Sequence, residues 1–182
     1  MNLLALQALM REQGCRTIYA KILSANDNRK QQVYFGGDFK AIDLIPFEKI
    51  TPDPIKTHIY KASLNFHWLL DDGSTHRAEH SQLILYPQYP EVRFSGFLRG
   101  CPEAPSDLMD ERLRMHGRVL FMGMCPDGKI IGHLCHPDTD LAKEVAGRTD
   151  FHKAGVFLEI GLGGLREIDI EQFQQARSEE HT

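Results

Sequence analysis

A mainly β fold of the α+β type, with short flanking helices, is what this sequence predicts. Its strand signals are short and closely spaced, and one of them alternates apolar and polar residues over nine positions. Its helical signals are brief. Strands and helices also do not alternate in the regular order that a doubly wound sheet requires, which leaves an all-β barrel or an α+β sheet.

The elements follow from local chemistry. Leu3, Leu6, Leu9 and Met10 recur at helical spacing, and Gly14 suits a helix C-terminus. Thr17, Ile18, Tyr19 and Ile22 then favour a strand over residues 16–23, and the polar run of residues 24–32 predicts a projecting loop. A short strand at 33–35 ends at Gly36-Gly37, where Asp38 can cap a helix reaching toward Pro46. Between residues 60 and 68, Tyr60, Ala62, Leu64, Phe66 and Trp68 alternate with Lys61, Ser63, Asn65 and His67, the pattern of a half-buried strand. Further strands are expected at 83–86 and 91–98, and Ser106 can cap a helix. Pro126-Asp127-Gly128 joins residues 119–124 to 129–134 as a hairpin. Asp138 or Thr139 can cap a helix ending at Gly147, and a last strand is expected over 155–160, before the turning glycines of 161–164. Residues 1–170 are thus expected to form one domain, with 171–182 a polar tail or the start of a linker.

With 42% hydrophobic and 25% charged residues in 182, the chain can bury a core, so whole-chain disorder is excluded. No apolar run approaches the ~20 residues that span a bilayer, and Met1-Asn2-Leu3-Leu4 lacks a basic leader region, so a cytoplasmic protein is expected. Cys15, Cys101, Cys125 and Cys135 form no Cys-x-x-Cys pair, and reduced thiols are expected. The net charge of −4 is uneven, because residues 137–182 hold ten acids against five bases. Residues 1–136 therefore sum to +1 and leave room for a nucleic-acid face.

Several constellations bear on chemistry. His76-Arg77-Ala78-Glu79-His80 matches a zinc-binding His-x-x-Glu-His pattern that works on a helix, whereas here it follows a turn and precedes a β-rich run. Cys125, His133, Cys135 and His136 fall on the proposed hairpin without a recognised zinc spacing. Asp38-Phe39-Lys40, with Asp27 upstream, offers two acids for Mg²⁺ and a lysine beside an attacking water, the elements of a metal-dependent nuclease. Gly161-Leu162-Gly163-Gly164 is not a phosphate loop, since no Gly-Lys-Ser/Thr follows. The polar run at 24–32 combines Asn26, Asn28 and Gln32, whose amides suit adenine, with Arg29 and Lys30, which suit guanine or phosphate. Glu91 and Arg93 fall on one side of an extended strand, where Glu can accept from cytosine and Arg donate to guanine. Taken singly, these two groups read first as a solvated loop and a surface ion pair.

The run from Ile18 through Lys21, Ser24, Asn26 and Asp27 to Gln32, with the strand and helix after it, resembles the opening of the N-terminal effector domain of EcoRII-type restriction endonucleases. That domain belongs to the plant-type B-three DNA-binding pseudobarrels. Glu91-Val92-Arg93-Phe94 through Arg99-Gly100 resembles its second DNA arm, and residues 119–145 resemble the section that follows, so collinear similarity covers most of 16–146. The resemblance implies an open seven-stranded pseudobarrel whose two arms embrace the major groove of double-stranded DNA, without metal or catalysis. It assigns DNA contacts to Lys21, Ser24, Asn26, Asp27, Asn28, Arg29, Lys30 and Gln32 on the first arm, and to Gln88, Glu91, Arg93, Ser95 and Arg99 around the second.

The function expected is sequence-specific DNA recognition, as the target or effector module of a type IIE-like restriction endonuclease acting on a CC(A/T)GG-like site. Cleavage would belong to a covalently linked, downstream Mg²⁺-dependent nuclease domain. The alternatives are a free-standing Mg²⁺-dependent nuclease using Asp27, Asp38 and Lys40, and an interaction or small-ligand barrel that binds no DNA.

Overall fold

The computed structural model describes residues 1–24, 32–35, 49–56, 58–86, 92–96, 117–125, 127–135, 138–148, 155–161 and 164–179. Across the larger sheet the order is β12 (Gly164–Ile168), β11 (Val156–Gly161), β1 (Thr17–Ile22), β9 (Val119–Met124), β10 (Lys129–Leu134), β5 (Asn65–Leu69) and β6 (Thr75–Arg77). The smaller sheet runs β2 (Gln32–Phe35), β8 (Val92–Ser95), β7 (Gln82–Leu85), β4 (Tyr60–Ser63) and β3 (Thr51–Pro52). Among the described residues, β10 and β5 pair in parallel and the other pairs are antiparallel. Among the described residues, three short helices, α1 (Leu3–Glu12), α2 (Asp140–Ala146) and α3 (Ile170–Glu179), accompany the strands in a mainly β, α+β architecture. The described strands do not close into a barrel.

Burial explains the two kinds of strand pattern. β1 and β9 are buried along almost their whole length because the larger sheet is covered on both faces. On one face, Ile18, Phe121, Ile131 and Leu158 pack against Leu3, Leu6 and Met10 of α1 and Leu141 and Val145 of α2. On the other, Tyr19, Phe66, Trp68, Leu120 and Met122 meet Val33, Phe35, Leu83 and Phe94 of the smaller sheet. The rings of Tyr19 and Phe35 cross that interior edge to face at 5.5 Å. The strands of the smaller sheet cover only this interior, so β2 and β8 alternate buried and half-buried residues.

The alternation over residues 60–68 identifies the inward side chains, since Ala62, Leu64, Phe66 and Trp68 all enter the shared interior. One continuous strand is nevertheless a misreading. The chain bends at Leu64, so β4 belongs to the smaller sheet and β5 to the larger. Alternation records which face is apolar and carries no information about the neighbouring strand.

Local chemistry sets the ends of several other elements. Asn2 caps α1 by accepting from the Ala5 amide at 2.8 Å, and Thr139 caps α2 by accepting from Ala142 at 3.3 Å. The expected hairpin forms, with Gly128 at φ +90° and the Lys129 amide donating to Asp127. Two further elements are present. The glycines after β11 lead into β12, and the segment read as a polar tail is helical from Ile170 to Glu179. Asp169 and Gln172 exchange side-chain-to-amide hydrogen bonds of 2.8 and 3.0 Å, a capping box that the sequence contains. Phe173 is fully buried against Phe157 and anchors α3 to the shared interior. The helices expected after Asp38 and Ser106 lie outside the described residues. Among the described residues, no helix is long and apolar enough to cross a membrane.

Candidate nucleic-acid interface

Strand pairing brings three of the sequence-predicted contact residues together. β2 and β8 are antiparallel, with Gln32 opposite Ser95 and Tyr34 opposite Arg93. Since Val33, Phe35, Val92 and Phe94 occupy the interior, alternation turns Gln32, Tyr34, Arg93 and Ser95 to the outer face of the smaller sheet. The same face continues across β7 and β4. Gln82 stands opposite both Ser95 and Ser63, and Ile84 opposite both Arg93 and Lys61. The result is a polar row of Gln32, Ser95, Gln82 and Ser63 beside a row containing Tyr34, Arg93, the buried Ile84 and Lys61.

Arg93 is the organising cation of this face. Its guanidinium carbon lies 4.6 Å from the Tyr34 ring centroid and 4.2 Å from that of Tyr86, which immediately follows β7. At the far edge, Lys61 pairs with Asp53 at 2.8 Å. The Asp53 carboxyl is held well below the usual carboxylate range, first by the Lys56 amide, then by Lys61 and by the Ile55 amide. Lys61 is therefore a neutralised charge.

Other expected contacts are distributed differently. Lys21, on β1, is only 7% exposed, and its ammonium donates to the Tyr34 main-chain carbonyl and lies 5.9 Å from the centre of the Phe35 ring. It is placed as a tie between the sheets, behind the strand that carries Gln32 and Tyr34. Ser24 is exposed just beyond β1. Asn26, Asp27, Asn28, Arg29 and Lys30 of the first arm, and Gln88, Glu91 and Arg99 around the second, lie outside the described residues. So do Asp38 and Lys40, the other members of the alternative nuclease site.

Glycine is required at position 96, at the end of β8. It adopts φ +75°, and a β-carbon there would come within 2.0 Å of the His80 main-chain oxygen.

Among the described residues the zinc readings do not assemble, and His136 lies outside them. His76 lies on β6 and His80 in the following turn, and both are exposed. Cys125 sits at the turn end of the β9–β10 hairpin and Cys135 at its open end, paired through main-chain bonds to Lys129 and Val119 respectively. His133 is buried, with Nδ1 2.9 Å from the Leu69 carbonyl oxygen. Burial pushes the Cys135 thiol up to about 11, which disfavours the thiolate needed by a metal or a nucleophile. Among the described residues, no three His, Cys, Asp or Glu side chains are grouped to hold a metal.

Sequence reasoning singled out Arg93, Gln32 and Ser95 but missed Tyr34, Tyr86 and Gln82. The alternation of Val33 and Phe35 with Gln32 and Tyr34 was sufficient to place Tyr34 on the outer face with Gln32. Tyr86 and Gln82 needed the β7–β8 register, which is not a local property. No protein-family model matches the chain, and no curated protein matches it significantly.

Proposed function

We propose that this chain is a sequence-specific double-stranded DNA-binding domain, the target or effector module of a restriction endonuclease. The observation that carries the reading is the convergence of Gln32, Arg93 and Ser95 on the outer face of the smaller sheet. These residues come from the two segments, far apart in sequence, that resemble the two DNA arms of EcoRII-type effector domains. An amide, a guanidinium and a hydroxyl on one sheet face are the donors and acceptors that read base edges in a major groove.

In this reading the described strands belong to an open seven-stranded-type pseudobarrel, and the arms carry Ser24, Asn26, Asp27, Asn28, Arg29 and Lys30 on one side and Gln88, Glu91 and Arg99 on the other. The domain needs no cofactor. Cleavage belongs to a covalently joined Mg²⁺-dependent nuclease domain, and the protein works in the cytoplasm on a CC(A/T)GG-like site.

The test is selection of bound duplexes from a randomised pool, with and without Mg²⁺, followed by titration against salt. The expected result is enrichment of one short motif without cleavage, with affinity falling by a log-log slope of about −0.9 per phosphate neutralised. Absence of enrichment at low salt overturns the recognition reading. Specific cutting by the purified chain overturns its non-catalytic part and moves the chemistry to residues such as Asp27, Asp38 and Lys40.

A further inference from the structure

We propose that Cys15 and Cys125 form a thiol pair that hydrogen peroxide oxidises to a reversible disulfide, cross-linking the corner between α1 and β1 to the turn end of the β9–β10 hairpin. The two residues are 110 positions apart in sequence, yet their sulfurs lie 3.1 Å from each other, and both are thiols in this structure. That separation exceeds the ~2.05 Å of a disulfide bond by only about 1 Å. Main-chain pairing produces the approach. β1 and β9 are antiparallel, with Thr17 opposite Met124, so Cys15 and Cys125 both fall just past that end of the ladder. The Cys15 amide donates to the Met10 carbonyl of α1 at 3.0 Å, and the Cys125 amide donates to the Lys129 carbonyl across the hairpin turn at 2.9 Å. Gly123 of β9 leaves room for the first sulfur, since a β-carbon there would come within 2.8 Å of Cys15 Sγ.

Cys15 is fully buried, whereas Cys125 is 4% exposed at the turn end of the hairpin, with its thiol 3.5 Å from the Gln13 carbonyl oxygen. Cys125 is therefore the sulfur that meets the oxidant first. Its sulfur attacks one peroxide oxygen, the O–O bond breaks, and the products are a sulfenic acid and hydroxide, which takes up the thiol proton to become water. The Cys15 sulfur then attacks that of Cys125. An S–S bond forms as the S–O bond breaks, and the hydroxide leaves with the Cys15 proton as a second water. Two thiols thus lose two electrons and two protons to one peroxide, and a dithiol reductant reverses the bond by exchange. Cys135 sits at the other end of β10, at the open end of the hairpin, and takes no part. A cross-link between residues so far apart in sequence restricts the unfolded chain far more than the folded one, so the oxidised protein is the harder to unfold. The chemistry involves no residue of the candidate nucleic-acid interface.

The experiment treats the full, folded chain with hydrogen peroxide, removes the excess with catalase, and then unfolds it in urea with iodoacetamide for non-reducing peptide mass spectrometry. The expected product is one linked pair of peptides carrying Cys15 and Cys125, two hydrogens lighter than their sum, with Cys101 and Cys135 alkylated. Dithiothreitol should return both thiols. The linked chain should melt roughly 5–15 °C above the reduced one. Cys15→Ala removes the second thiol, so peroxide should give no linked pair and no rise in melting temperature, and dimedone should trap Cys125 as its sulfenic acid. The same treatment of the chain in urea should yield mixed pairings, because only the fold brings these two sulfurs together. Recovery of both cysteines as alkylated thiols from the oxidised folded chain overturns the proposal. So does a bond from either of them to Cys101 or Cys135, or a Cys15–Cys125 bond that forms as readily in urea. A linked chain that melts with the reduced one overturns the stabilising role.

Discussion

The Lys21 ammonium donates a hydrogen bond to the main-chain carbonyl of Tyr34, joining the larger sheet to the smaller one. The donor is a buried cation on β1, and the acceptor belongs to the residue whose ring contacts Arg93. A side chain of the scaffold thus supports the strand that presents the candidate interface. Lys21→Met keeps most of the apolar stem but leaves that carbonyl without its charged donor, and it should lower stability by about 1–3 kcal/mol. Urea unfolding measures this, and an unchanged midpoint would show that the tie contributes nothing.

Gly132 is needed for a close approach inside the shared interior. A β-carbon at this position would come within 2.2 Å of the Phe66 ring, on the strand that pairs in parallel with β10. Gly132→Ala is expected to destabilise by about 1–3 kcal/mol, because a packed aromatic ring must move. Pairing it with Phe66→Leu should recover part of that loss in a double-mutant cycle. Additive losses in the cycle would rule out the steric explanation.

Phe173 tests whether α3 belongs to the fold. Its side chain is fully buried, with its ring centroid 5.0 Å from that of Phe157. Phe173→Ala should cost about 3–5 kcal/mol, as expected for deletion of a buried aromatic ring. A loss below about 0.5 kcal/mol, typical of surface positions, would mean that the helix is dispensable.

Acid sensitivity should trace partly to His67. Its pKa lies below the ordinary value of 6.5, first because of burial and then because of the positive charges of Lys129 and Arg77. Above that ordinary value the imidazole is neutral whether the chain is folded or not, so the shift has no effect on stability. As pH falls through it, the unfolded chain takes up a proton more readily, and stability declines until the folded pKa is also passed. Melting temperatures between pH 8 and pH 5, on the order of the His titration range, should fall more steeply for wild type than for His67→Gln. Parallel pH profiles would show that His67 is not responsible.

Cys135 should be slow to alkylate. Burial raises its thiol to about 11, so little thiolate exists near neutral pH. Iodoacetamide treatment followed by peptide mass spectrometry should label Cys135 far more slowly in the folded chain than in urea. Equal labelling rates would mean that the hairpin end opens freely.

What the sequence determines by itself is local. The Asn2 and Thr139 caps, the Asp127-Gly128 turn and the inward faces around Ala62, Phe66 and Trp68 all follow from interactions within a few residues or from side-chain alternation. The capping box of Asp169 and Gln172 was equally legible, but the polar composition around it obscured the single buried Phe173. Arg93, Gln32 and Ser95 could be singled out by chemical type, yet nothing in their own segments makes them neighbours. That depends on the β2–β8 register, a pairing between segments some sixty residues apart. Tertiary structure likewise decided that the strand bends at Leu64 to serve both sheets and that Lys21 turns inward to Tyr34. The physical reason is that alternation and capping energies depend on nearby residues, whereas strand partners and the burial of a cation depend on which distant surfaces fill the same interior.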